Sequence, residues 1–169
     1  MEFFEALRTR RSIRKYTAQP IAAEDVRTML EAAMLAPSAS NRQPWHFVVV
    51  DDKATLERIA TEHPYAKMAA GAPLAVVVCG DLDAEKTRGF WVQDCAAATQ
   101  NLMLAARALG IGSVWCGLHP VEDRVAPIRR ILGLPENIVP LSLVVMGYPE
   151  QEFSEADRYQ EAKVHHNHW

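Results

Sequence analysis

Four cations crowd one short stretch of this chain: Arg10, Arg11, Arg14 and Lys15 surround Ser12 within Arg10-Arg11-Ser12-Ile13-Arg14-Lys15-Tyr16. Guanidinium forks and a hydroxyl at that density can hold a phosphate monoester through charge-assisted, bidentate hydrogen bonds. Taken alone, the run is equally compatible with a solvated basic edge that discourages strand pairing. A second polar stretch, Pro37-Ser38-Ala39-Ser40-Asn41, offers hydroxyls, an amide and backbone N–H groups in a turn, the equipment of a ligand rim and also of an ordinary connection.

Other chemistries find little support. Gly110, Gly112 and Gly117 surround a short apolar run, but neither a dinucleotide fingerprint nor a phosphate-binding GxxxxGK[ST] loop is present. Three of the six histidines, His165, His166 and His168, gather at the end of the chain without a cysteine or carboxylate at a usual metal-ligand spacing. No GxSxG or HExxH occurs, and Cys79, Cys95 and Cys116 form no CxxC pair. So few reactive side chains is the pattern expected when a cofactor carries the chemistry.

The elements that must position these residues follow from periodicity. Phe3, Phe4 and Leu7 have helical spacing, whereas the basic run alternates and favours an extended segment. After Pro20, acidic Glu24 and Asp25 begin a helix whose stripe is Val26, Met29, Leu30 and Ala33. The prolines of 37–44 predict an ordered loop. Buried strands are expected at 46–51, 74–79, 113–116 and 141–146. A long alanine- and leucine-rich helix is predicted over 88–109, closed by Gly110, and a shorter one over 121–132, closed by Gly133. Beyond Tyr148-Pro149 the chain turns polar, and an ordered tail of that kind needs a surface to lie on.

With 169 residues, 49% hydrophobic and 23% charged, the chain is expected to build one domain over 1–169. Helices and strands mix without strict βαβ alternation, which predicts an α+β fold. The net charge of -3 gives no overall field toward nucleic acid or an anionic membrane. The N-terminal residues lack the pattern of a signal peptide or anchor, and the apolar runs are too short to span a bilayer. A reduced, cytoplasmic, soluble protein is expected.

Four segments together resemble the nitroreductase family: RRSIRKY at 10–16, PSASNRQPWHF at 37–47, QDCAAATQNLMLAARALGIGSVWCG at 93–117 and LVVMGYP at 143–149. The resemblance implies a mainly antiparallel sheet flanked by helices, in an intertwined homodimer whose C-terminal tail crosses to the partner. It implies FMN held at the subunit interface. Arg10, Arg11, Ser12 and Arg14 would take the phosphate and ribityl chain, and Pro37, Ser38, Ala39, Ser40 and Asn41 would reach the flavin from the other subunit. Trp115, Cys116 and Gly117 would border the ring system, with Arg158 returning to the phosphate.

The implied activity is ping-pong transfer of hydride from NAD(P)H through FMN to a nitroaromatic, quinone or similar small acceptor. Reductive dehalogenation, flavin breakdown and non-catalytic FMN binding are the alternatives on the same fold. No metal is implied. The long alanine-rich helix, apolar nearly all round, would pack against its counterpart in the dimer.

Overall fold

The computed structural model describes residues 1–169. Its helices are α1 (Phe3–Thr9), α2 (Ala23–Met34), α3 (Lys53–Glu62), α4 (Trp91–Ala108) and α5 (Glu122–Leu132). The strands β1 (Trp45–Val50), β2 (Leu74–Asp81), β3 (Gly112–Gly117) and β4 (Ile138–Gly147) form one antiparallel sheet in the order β1-β2-β4-β3. The α+β architecture and all four expected strands are therefore present.

Both faces of the sheet are covered, which explains why β2 is an unbroken apolar run. Leu74, Val76 and Val78 face α2 and α4, while Ala75, Val77 and Cys79 face α3 and α5. Each fully buried valine contributes about 1.5–3 kcal/mol. Between β2 and β4 the register slips at Val78 and Cys79, which face Ser142 and Pro140. Pro140, with no N–H to give, falls beyond the end of β3 and so needs a partner on one side only.

Local chemistry sets the helix ends. Asp52 caps α3 by accepting the Thr55 N–H at 2.8 Å. Leu56 and Ile59 then bury one face of it. This helix is absent from the sequence reading. Gly110 (φ 77°) and Gly133 (φ 62°) end α4 and α5 in the left-handed conformation that glycine adopts without penalty.

The basic run is extended, as expected. The Ile13 N–H donates to the Ser113 carbonyl at 3.0 Å, and Ser12 bridges Ser113 in parallel, so the run lies along the free edge of β3. Ile13 and Tyr16 point into the core. Tyr16 is locked there by its hydroxyl, which meets the Ile13 and Val145 carbonyls. Arg14 and Lys15, between these two buried residues, are both exposed, a three-residue spacing rather than strict strand alternation.

The tail then runs back over this segment. Tyr16 bridges Pro149, the Glu150 N–H donates to the Lys15 carbonyl at 3.0 Å, and the Gln151 Oε1 accepts from the N–H groups of Arg14 and Lys15. Farther along, the Ala156 N–H donates to the Arg8 carbonyl at 3.3 Å. Past that point the chain is exposed, and Trp169 is 99% accessible. No helix is long and apolar enough to cross a membrane.

Candidate cofactor site

A cavity of about 510 Å³ opens beside the outer strand β3. Val114, Trp115, Cys116 and Gly117 form one wall, Arg14 borders it, and Pro64, Tyr65, Lys67 and Met68 from the turn after α3 form the other. The floor is apolar, the two ionisable lysine and arginine side chains on it are both cations, and no carboxylate lines it.

His63 holds that second wall in place. The imidazole is buried, its Nδ1 accepts the Tyr65 N–H at 3.2 Å, and its Nε2 stands 3.4 Å from the Gly117 carbonyl. Since Nδ1 accepts, Nε2 carries the proton. Burial lowers the His63 pKa, the Gly117 carbonyl opposes that, and Arg124 adds to it. The Arg124 guanidinium donates to the same Gly117 carbonyl at 3.3 Å and sits 5.0 Å from the Tyr65 ring centre.

Cys116 joins the walls from the other side, its thiol donating to the Tyr65 carbonyl at 3.5 Å. Burial pushes this thiol up to about 11, so it is neutral at physiological pH and is no thiolate nucleophile.

A second group of cations lies along the same basic segment. Arg10 is held below its usual pKa by burial and by the positive charges of Arg11 and Arg158. None of the three belongs to an ion pair within the chain. Arg11 has turned part of its fork inward, onto the Arg8 and Arg10 carbonyls at the end of α1. Mutual repulsion among three guanidinium groups is relieved by an anion, and a phosphate dianion meets that need.

The expected loop stands apart from the cavity: none of Pro37, Ser38, Ala39, Ser40 and Asn41 lines it. This loop is fastened to α4 instead, where the Asp94 carboxylate accepts the Ala39 N–H at 3.0 Å. Ser40, Asn41 and Gln43 all have positive φ, near 50°, a strained conformation for side-chain-bearing residues.

The structure therefore gathers Arg14, Trp115, Cys116 and Gly117 around one cleft and Arg10, Arg11 and Arg158 into an adjoining basic group. Ser12 is exposed between them. Pro64, Tyr65, Lys67 and Met68 were missed, although the Asp52–Thr55 cap and the Leu56–Ile59 spacing signal the helix that carries them.

Two observations test whether an FMN-type group fits. The guanidinium groups of Arg10, Arg11 and Arg158 have no carboxylate partner within the chain, and a Cβ built on Gly117 would meet nothing within 4 Å, so the backbone there faces open space that a flat ring can approach. Both fit.

Fold and cleft together define an α+β framework whose outer strand β3 borders an open cleft flanked by cations. The profile of the nitroreductase family matches residues 7–63 and 60–148, and the chain belongs to that family. An Archaeoglobus fulgidus protein named "Putative NADH dehydrogenase/NAD(P)H nitroreductase" is 48% identical over 172 residues, covering 99% of each chain. An FMN-dependent nitroreductase from Clostridium difficile superposes with a TM-score of 0.91 at 29% identity, covering 98% of this chain and 99% of that one. A Desulfovibrio desulfuricans protein crystallised in complex with FMN is 32% identical, with a TM-score of 0.87 over 100% of this chain and 98% of that one.

Proposed function

We propose that this protein is an FMN-dependent NAD(P)H oxidoreductase, one domain over 1–169, that works as a homodimer with the cofactor between subunits. The observation that carries this reading is the continuity of two features on one segment: an apolar cleft at Arg14 and Gly117, and a guanidinium group at Arg10, Arg11 and Arg158 with no carboxylate partner in the chain. A phosphate-bearing ring system has that shape and charge. The complex of the Desulfovibrio relative with FMN supports the choice of cofactor.

Bound FMN supplies hydride transfer between NAD(P)H and a nitroaromatic, quinone or similar small acceptor. Arg10, Arg11, Ser12 and Arg158 hold the phosphate and ribityl end. Trp115, Cys116 and Gly117 border the ring, and Pro37 to Asn41 complete the shell from the partner subunit. Arg14 and Lys67 are the cations at the cleft, placed to stabilise negative charge that develops there on reduction. Met68 and Val114 make the floor apolar and limit water beside the reacting atoms. No side chain acts as nucleophile.

Dimerisation is supported by an unpartnered apolar face. Phe3 (63%), Phe4 (68%) and Leu35 (82%) are exposed, and between α1, α2 and α4 lies a groove of about 370 Å³ lined by Met1, Phe3, Leu35 and Leu104. The helical spacing at Phe3, Phe4 and Leu7 thus marks a side facing away from the chain's own core.

The test is the visible spectrum of the purified protein, with the released chromophore identified. A yellow protein bleached by NADH or NADPH and reoxidised by a nitroarene is expected. A colourless protein that refuses added FMN would refute the proposal.

A further inference from the structure

Arg107, at the end of α4, is 8% exposed yet belongs to no ion pair. Glu5 attracts it through space without a direct ion pair, and burying a guanidinium on that alone is costly unless other groups answer it. Two do. The Thr9 hydroxyl, which donates to the Glu5 carbonyl at 2.7 Å, turns a lone pair to the Arg107 Nε at 2.9 Å. On the other side the guanidinium carbon lies 3.8 Å from the centre of the Phe153 ring, within the range of a cation–π contact.

These two contacts join three distant parts of the chain. Thr9 is the last residue of α1 and leads directly into Arg10. Phe153 is the half-buried anchor of the tail, between the Gln151 contacts to Arg14 and Lys15 and the Ala156 bond to the Arg8 carbonyl. That same Arg8 carbonyl also accepts from the Arg11 guanidinium. Five residues beyond the anchor stands Arg158, near enough to Arg10 to lower its pKa. Past Glu150, only the Gln151 and Ala156 hydrogen bonds join this anchor in holding a polar tail over a basic segment that repels Arg158.

We infer that Arg107 is a positioning residue: through Phe153 it clamps the tail so that Arg158 stands beside Arg10 and the two ends of the chain meet at one phosphate. This inference rests on the FMN reading above. It assigns the Arg107–Phe153 pair a role in telling FMN from riboflavin, which lacks the phosphate that Arg158 would contact.

The test is titration of apoprotein with FMN and, separately, riboflavin, using Arg107→Met, Phe153→Ala, Phe153→Tyr and Arg158→Ala in the full chain. Wild type is expected to prefer FMN. Arg107→Met and Phe153→Ala should each weaken FMN about tenfold, the size of one charge-assisted contact, with riboflavin unchanged. Phe153→Tyr keeps the ring face and should retain wild-type preference. In the Arg158→Ala background, Phe153→Ala should add little further loss.

Equal weakening of both ligands, or additive losses in the double variant, would overturn the clamp. Should Arg107→Met fail to fold, the Phe153 variants decide. A wild-type protein that binds neither ligand would refute the FMN reading itself, a result distinct from wild-type binding that the clamp variants leave unchanged.

Discussion

The Asp94 carboxylate accepts the Ala39 N–H at 3.0 Å, joining the first turn of α4 to the polar loop after α2. Asp94 is 7% exposed, and its charge sits well at a helix N-terminus. The bond fixes a loop with three strained residues. Asp94→Ala should cost about 1–3 kcal/mol, the penalty of a lost charged hydrogen bond, while Asp94→Asn keeps an acceptor and should cost less. If the loop completes the partner's cofactor shell, FMN affinity measured by titration should fall in the same order.

Gly112 packs against the basic segment. A Cβ there would stand 2.7 Å from Ile13 Cγ2 and 2.9 Å from Ile13 Cβ. Gly112→Ala should therefore push Ile13 outward and destabilise the fold by about 1–3 kcal/mol, as overpacking does. Because Arg14 follows Ile13, FMN binding should weaken too. An unchanged thermal midpoint together with unchanged FMN affinity would show that the segment yields freely.

His63 sets a pH dependence. Burial depresses its folded pKa, so the unfolded chain, with histidine near 6.5, binds the proton first as pH falls. The stability contributed by the neutral ring is complete above about pH 6.5 and is lost as pH drops through the folded pKa. Protonation also puts a hydrogen on Nδ1, against the Tyr65 N–H it now accepts. Thermal melts from about pH 8 to about pH 5 should therefore fall more steeply for wild type than for His63→Gln. Parallel slopes would remove His63 from this role.

How much of this was legible in the sequence depends on the element. Strands β2 and β4 announced themselves because burial on both faces demands continuous apolar residues, and α2, α4 and α5 because of an apolar stripe, alanine content or a closing glycine. Helix α3 did not. Lys53, Glu57, Arg58 and Glu62 surround two buried apolar residues, Leu56 and Ile59, so its stripe is narrow. Passing over α3 hid the Pro64–Met68 wall, and with it Lys67. Arg107 was hidden for another reason: an arginine near a helix C-terminus is commonplace, and only the folded chain brings Thr9 and Phe153 to it.

Arg14 and Lys15 are adjacent cations with different surroundings. Arg14 lines the cleft and Lys15 does not. Arg14→Ala should lower flavin affinity or reduction potential, and Lys67→Ala, across the same cavity, should act in the same direction. Lys15→Ala should stay within about 0.5 kcal/mol of wild type, as surface changes do. Flavin titration and potentiometry on the three variants decide the matter; equal, negligible effects of Arg14→Ala and Lys15→Ala would remove Arg14 from the site.

Cofactor binding and assembly should be one property. The Arg14 cleft and the 37–41 loop do not meet within one chain, while Leu35, shortly before that loop, is 82% exposed beside the groove of α1 and α4. A charge placed there would have to be desolvated in any close-packed contact, at a cost of several kcal/mol. In a lone chain the same substitution touches only solvent and should leave the fold intact. Leu35→Glu should therefore give a folded monomer by light scattering and circular dichroism that has also lost FMN. Monomers that keep FMN at wild-type affinity would mean that one chain supplies the whole shell, and the loop from 37 to 41 would then need another role.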